Sequence, residues 1–302
     1  MGNKIWLYGA GALGSALAAL LYDKTDICLV GSSPHAAKVK AEGLQVRRAV
    51  TTESDLLPVP VCRPEAVPAL TENDLVLLTG KIRSLPAAAA GLRERLSPPV
   101  TVVALQNGIG FEADLAAALD HPLERGIVQF GSGSDGAGTV WFYPGSLLLP
   151  PGRAAEVLSP LLEGAPVTCK VEADFTPLLW QKLLINSVAN ALAGILGINN
   201  RILAGETLNP VKAEIVREIK AVAAATGVML SAELADLNRY LARSGNIPSL
   251  VRDLQRGLPT EIDWINGAVV RLGEEYGIPT PVNAALTAMV KCLEEQAITK
   301  EG

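Results

Sequence analysis

The chain has 302 residues, 49% of them apolar and 19% charged, with a net charge of −5. That length predicts two domains, and the composition is rich enough in apolar residues to bury a core, which excludes intrinsic disorder. No long run of Lys and Arg offsets the acidic balance, which excludes a nucleic-acid surface or an anionic-membrane surface.

In chain order, Lys4–Tyr8 (KIWLY) reads as a short apolar strand, followed by Gly9-Ala10-Gly11-Ala12-Leu13-Gly14 and a helical run to Tyr22. Lys4 ahead of an apolar stretch raises the question of a signal peptide. The three glycines and the Asp23-Lys24 pair fit a folded strand and helix instead. Trp6 stands where a myristoylation signal needs Ser or Thr. A second strand is predicted at Ile27–Val30, a polar helix over 34–43 ending at Gly43, and a Pro-punctuated strand near Val59–Cys62. The buried strand Asp74–Thr79, a helix over 84–96 and the strand Val100–Leu105 complete a β-α alternation that predicts a parallel sheet with crossover helices. From Gly126 the pattern changes to Gly-separated strands at 126–130, 138–143 and 146–149, expected as an antiparallel extension of the same sheet. From Thr176 onward apolar residues recur at helical spacing. Helices are predicted at Leu178–Leu196, Pro210–Thr226, Ser231–Arg243, Thr260–Tyr276 and 281–296.

Residues 5–22 and 183–200 carry no charge, yet the first holds the three glycines. The second holds Asn186, Asn190, Asn199 and Asn200, amides that are costly in lipid, so neither is expected to span a membrane. Cys28, Cys62, Cys169 and Cys292 form no CxxC and are expected to be reduced, mostly buried thiols of a cytoplasmic protein. His35 and His121 are too few to cluster around a metal, and no metal site is expected.

The GxGxxG match at Gly9–Gly14 has the context it requires, a strand before and an apolar helix after. Gly9 suits the tight turn, Gly11 the close approach of backbone to a pyrophosphate, and Gly14 the packing of helix on strand. The phosphates then meet the helix N-terminus, where N–H groups point outward. A dinucleotide is therefore expected on the loop Gly9, Ala10, Gly11, Ala12, Leu13 and Gly14. NAD-specific sites place an acid near the end of the second strand to bind the ribose 2′-OH. Here that strand ends Leu29-Val30-Gly31-Ser32-Ser33, and the first carboxylate is Glu42. Room is left for a 2′-phosphate, with Ser32, Ser33, His35 or Lys38 as contacts, which favours NADP; a loop with no selectivity is the alternative.

In the second half, Lys182, Asn186 and Asn190 stand at i, i+4 and i+8. Successive members are offset by about 40° on a helix of 3.6 residues per turn, so all three share a face. An amine and two amides in an apolar helix are costly unless something polar faces them. The structural alternative is that Lys182 snorkels to water and the amides bond to neighbouring helices. Lys81 follows the strand at 74–79, and Asn107 follows the strand at 100–105 within Gln106-Asn107-Gly108-Ile109-Gly110. Both sit where strand ends open toward a nucleotide.

These fragments together resemble the ketopantoate reductases (2-dehydropantoate 2-reductases) over nearly the whole length. The resemblance rests on GAGALG at 9–14, Lys81, QNGIG at 106–110 and LWQKLLINSVANALAG at 179–194. It extends to Asn199-Asn200, Asn246 with Pro248-Ser249, and TEIDWING at 260–267. It implies a Rossmann-type α/β dinucleotide-binding domain over 1–172. An all-α substrate and dimerisation domain would follow over 173–302, a helical bundle of the 6-phosphogluconate-dehydrogenase type. The implied reaction is NADPH-dependent reduction of 2-dehydropantoate to pantoate, in the pathway to coenzyme A. Lys182 would be the general acid. Asn186, Asn190, Asn200, Asn246 and Ser249 would hold the substrate hydroxyl and carboxylate. Lys81 and Asn107 would stand at the nicotinamide and substrate edge, Glu261 would close the site, and Ser134 would offer a backbone contact to cofactor. Hydride addition to a ketone builds negative charge on its oxygen, and a nearby ammonium suits the protonation. The chain departs from the family pattern at Gly31-Ser32, where members carry an Arg for the 2′-phosphate, and at Ala191, where Pro is frequent. A reductase of another 2-oxo acid and a non-catalytic NADP(H)-binding sensor are the alternatives; the scarcity of His argues against His-based dehydrogenases. The partner expected is a small 2-oxo acid, and apolar faces on the C-terminal helices would suit a homodimer.

Overall fold

Alternation of apolar strands with helices rich in Ala and Leu produces a six-stranded parallel sheet, seen in a computed structural model that describes residues 4–48, 54–243 and 245–299. The chain forms two compact units. The first holds the residues up to Gln106 together with Phe111–Ala173, and the second holds Asn107–Gly110 and the residues from Asp174 onward.

In the first unit, β1 (Lys4–Tyr8), α1 (Ala12–Leu21), β2 (Asp26–Val30) and α2 (Pro34–Glu42) come first, followed by β3 (Leu44–Arg48), β4 (Ser54–Leu57) and β5 (Val61–Cys62). Then come β6 (Asp74–Leu78), α3 (Leu85–Arg93), β7 (Thr101–Ala104), α4 (Glu112–Leu119) and β8 (Glu124–Arg125). The sheet order is β5-β2-β1-β6-β7-β8, with every neighbouring pair parallel. This is the doubly wound order, and its direction reverses between β1 and β6, the switch point where such sheets bind nucleotides. Ile5, Leu7, Leu29, Leu75 and Leu77 are buried on this sheet. Each side chain of this size contributes roughly 1.5–3 kcal/mol relative to exposure.

The strands expected to extend this sheet do not join it. β9 (Ile127–Gln129) pairs antiparallel with β12 (Gly145–Leu149), which runs parallel to β13 (Val167–Val171) after α5 (Arg153–Leu161). A third sheet, β10-β11-β3-β4, joins Ser132–Gly133 (β10) and Thr139–Phe142 (β11) to the two strands that follow α2. The break falls at Gly126, between β8 and β9. A Cβ there would lie 2.4 Å from a Leu105 methyl and 3.0 Å from a Leu149 methyl, so the missing side chain lets the chain turn out of one sheet into the next.

The second unit is helical: α6 (Phe175–Leu196), α7 (Asn200–Leu203), α8 (Asn209–Ala225), α9 (Leu234–Arg243), α10 (Ser249–Gln255), α11 (Asn266–Tyr276) and α12 (Pro281–Thr299). Trp180, Leu184, Val188, Ile215, Ile219, Val222, Val269 and Val290 share one core with Ile109. The helix expected over Thr260–Tyr276 is two pieces, a 3₁₀ turn at Ile262–Trp264 and α11, separated by Ile265 at φ −107°, ψ −94°. The seven-residue α10 had no counterpart in the sequence reading.

Two buried charges tie these helices together. The Glu218 carboxylate on α8 accepts from the backbone N–H groups of Val282 and Asn283 at 2.8 and 3.0 Å and from Asn283 Nδ2 at 2.7 Å. It thus satisfies two of the N–H donors that a helix start leaves open, here on α12. Lys212 is fully buried, and its Nζ donates to the carbonyls of Leu203 and Gly205 at 3.0 Å each and to Asn238 Oδ1 at 2.6 Å. All three ammonium donors are used, which is the condition for burying such a charge. No helix among the described residues is long and apolar enough to cross a membrane. Of the four cysteines Cys28 is buried, while Cys292 is exposed rather than buried.

Candidate active site

The glycine loop of the first unit leaves β1 at the switch point and meets the residues that follow β6. Gly9 sits at φ +131°, and a Cβ there would fall 2.2 Å from the backbone nitrogen of Gly80. Gly14 is equally confined, its virtual Cβ lying 2.2 Å from Gly9 O and 2.7 Å from Thr79 Oγ1. Thr79 Oγ1 donates to the Gly9 carbonyl at 2.8 Å, and Gln106 Nε2 donates to the carbonyls of Leu78 and Gly80 at 2.8 Å each. The turns after β1, β6 and β7 are thereby held as one backbone assembly. Gly11 differs: it is exposed, and a Cβ there would meet nothing within 4 Å. It is also the N-cap of α1 and offers no side-chain cap, so the start of that helix presents bare backbone. These residues fit a dinucleotide: two glycines close the loop and a third leaves open the side from which a pyrophosphate would approach.

Lys81, half-buried, opens the 3₁₀ turn after β6, and its carbonyl accepts from Ser84 Oγ at 2.7 Å. Ser134 follows β10, and its hydroxyl donates to Gly136 O at 2.6 Å. Of the four side chains expected to meet a 2′-phosphate, three have structural duties. Ser33 caps α2 by accepting from Ala36 N at 3.2 Å. Lys38 faces Glu42 at 3.7 Å. His35 accepts from Gly138 N at Nδ1, 3.1 Å away, which leaves Nε2 to donate to Ser15 Oγ at 2.9 Å. Burial lowers the His35 pKa against the opposing pull of the Gly136 carbonyl, so the ring is neutral near pH 7. Ser32 is exposed, and alone of the four it has no such duty among the described residues.

In the second unit α6 carries Lys182, Asn186 and Asn190 on one face, the first two half-buried and the third buried. The Nδ2 of Asn186 is buried with no hydrogen-bond partner among the described residues. A donor held this way costs about 1–3 kcal/mol unless something binds it. Asn200 is buried at the start of α7, and its N–H donates to the Asn246 carbonyl at 3.2 Å, which sets these two residues side by side. Ser249 is the exposed first residue of α10. That helix packs against α6 closely enough that a Cβ on Gly194 would lie 2.4 Å from a Leu250 methyl.

Glu261 is buried, 7% exposed, directly after Thr260. Both the N–H and the hydroxyl of Thr260 donate to Glu294 Oε1, at 2.7 and 2.5 Å. The Glu261 carbonyl accepts from Trp264 N at 3.1 Å, and the Trp264 carbonyl accepts from Ile109 N at 2.9 Å. The loop holding Asn107 is thus fastened to the turn that carries Glu261. Gly108, at φ +83°, permits this, since a Cβ would fall 2.2 Å from the Trp264 oxygen. Sequence reasoning missed Thr79, Gly80, Gln106 and Trp264 as supports. No local pattern marks them, because their partners lie 26 to 155 positions away.

Two family models match the chain: Ketopantoate reductase PanE/ApbA over residues 5–151, and Ketopantoate reductase PanE/ApbA C terminal over 174–294. The 2-dehydropantoate 2-reductase of Pyrococcus abyssi is 27% identical over 300 residues, covering 95% of this chain and 97% of that protein. The enzyme of the same name from Vibrio cholerae is 28% identical over 304 residues, covering 97% and 98%. Among solved structures, the PanE/ApbA family ketopantoate reductase from Ralstonia eutropha superposes with a TM-score of 0.86 at 29% identity, covering 97% of this chain and 99% of that one. A ternary structure of D-mandelate dehydrogenase with NADH and anilino(oxo)acetate also gives 0.86, at 26% identity and the same coverage.

Proposed function

The chain belongs to the ketopantoate reductase family, and from that premise we propose that it reduces 2-dehydropantoate to pantoate with NADPH, Lys182 donating the proton. It is an oxidoreductase of this family, with a nicotinamide cofactor that supplies a hydride to the 2-oxo carbon when bound. The Lys182 ammonium then protonates the oxygen on which charge grows. Asn186, Asn190, Asn200, Asn246 and Ser249 hold the substrate hydroxyl and carboxylate, and Glu261 closes the site. Gly9 to Gly14, with Ser32, Lys81, Asn107 and the Ser134 backbone, hold the cofactor. The observation that carries the reading is the α6 face, where Lys182 and Asn190 flank an Asn186 Nδ2 buried with no hydrogen-bond partner among the described residues.

A second reading, reduction of a different 2-oxo acid, is favoured by the likeness to D-mandelate dehydrogenase. Loss of NADPH absorbance with 2-dehydropantoate, set against phenylglyoxylate and other 2-oxo acids, separates the two; no turnover with any of them would leave a binding module. On the preferred substrate, Lys182→Ala lowers kcat by roughly 10²–10⁴ and leaves the NADPH Kd nearly unchanged, because the glycine loop belongs to the other unit. Lys182→Arg keeps the charge but supplies a poor acid, and its kcat is also low. A Lys182 variant with wild-type kcat at saturation of both substrates would remove this residue from catalysis.

A further inference from the structure

The loop after β2 lacks the cation that a 2′-phosphate calls for, and it has no room to regain one at its first position. Gly31 packs so closely on the glycine loop that a Cβ there would lie 2.6 Å from the Ala10 Cβ. Ser33, Lys38 and His35 are taken up as a helix cap, an ion pair and a two-sided hydrogen bond. Ser32 offers only a hydroxyl. The neighbouring strand supplies what this one lacks. β5 lies at the edge of the sheet beside β2, with Val30 in register with Cys62. The Gly31 N–H donates to the Cys62 carbonyl at 3.0 Å, so the residue after Cys62 leaves the sheet immediately beside Gly31-Ser32. That residue is Arg63. It is exposed, it stands in no ion pair among the described residues, and its extended backbone (φ −81°, ψ 156°) leads into the 3₁₀ turn Pro64–Ala66.

We propose that Arg63 is the residue that binds the 2′-phosphate and sets the preference for NADPH over NADH. The inference rests on the NADPH reading above. A guanidinium presents several donors in a fixed fork, which matches phosphate oxygens, and it stays charged at any working pH. The ends of adjacent parallel strands lie about 4.8 Å apart, so a long side chain just past the end of β5 is within reach of the space over the β2 loop without any side chain on Gly31. Pro64 fixes the turn that follows and limits the directions in which the arginine leaves the sheet.

The test is direct binding of NADPH and of NADH to the full chain, by titration calorimetry, in the wild type and in Arg63→Ala. The expected result is NADPH bound more tightly than NADH by the wild type. In Arg63→Ala the NADPH Kd should rise about tenfold or more, the size of a lost charge-assisted contact, with the NADH Kd unchanged. Equal weakening of both cofactors would show that Arg63 supports the nucleotide site in general and would overturn the proposal, as would an unchanged NADPH Kd in a wild type that prefers NADPH. A wild type that binds NADH as tightly as NADPH would bring down the NADPH reading itself, and this proposal with it, before any variant is made.

Discussion

Gly9 and Gly11 stand two residues apart and answer to different demands. Gly9 is strained for any other residue by its φ of +131° and has the Gly80 backbone where a Cβ would go. Gly11 has open space in the same direction and an ordinary φ of −112°. Gly9→Ala should therefore destabilise the folded chain by roughly 1–3 kcal/mol or more, because backbone rather than a flexible side chain must move. Gly11→Ala should cost only about 1 kcal/mol, the usual preference at an N-cap, while weakening cofactor binding. Thermal melts and NADPH titrations of both variants check this. A Gly11→Ala protein that binds NADPH as well as the wild type would show that the backbone here is not approached. A similar division separates what local pattern reveals from what it hides. Lys182, Asn186 and Asn190 could be placed on one face from their spacing alone, since helical periodicity is local. The orphaned amide of Asn186 could not be, because satisfaction depends on every neighbouring element.

Elements with strong punctuation at both ends were legible in the sequence. α2 begins at Pro34, directly after its cap Ser33, and ends at Gly43 with φ +91°, as the cap, N1 proline and terminal glycine imply. The strands from 127 to 149 were recognised as strands but assigned to the wrong sheet. Alternation shows that a segment is extended and says nothing about its partner. The short β3, β4 and α10 were overlooked because they span too few residues for a period to register. His35 illustrates how elements distant in sequence are joined: its ring links α1, through Ser15, to the backbone just ahead of β11. Because burial lowers its pKa, the native state resists the proton that the unfolded chain accepts near pH 6.5. The unfolded state then binds more protons, so this contribution is complete above the unfolded pKa and is lost as pH falls through 6.5 toward the folded value. Thermal midpoints should fall between pH 7.5 and 5.5 in the wild type, and His35→Gln should show a shallower dependence over that interval. An identical slope in the two proteins would exclude His35 as its source.

At the scale of the molecule, the change from β-α alternation to continuous helical spacing near residue 175 was plain in the sequence. The transfer of Asn107–Gly110 to the helical unit was not, since it depends on the Trp264 carbonyl and on Ile109 entering the helical core. Two separate apolar cores result, one on the parallel sheet and one among the helices. Chains with more than one core do not unfold as a single step by default, and a ligand stabilises what it binds. The glycine loop, the turn after β6 and Arg63 all lie in the first unit. NADPH at a hundredfold excess over its Kd, worth about 2.7 kcal/mol, should therefore act first on that unit. Hydrogen exchange followed by mass spectrometry should show slower exchange at β1, at the start of α1 and at the turn after β6. The interior of α8 and α12, held by Lys212 and Glu218, should exchange slowly with or without cofactor. This division needs no substrate and no turnover, so it tests the placement of the nucleotide independently of the reaction. Uniform protection across both units would mean that the chain opens as one cooperative body. Protection confined to the helical second unit would place the nucleotide away from the Gly9–Gly14 loop.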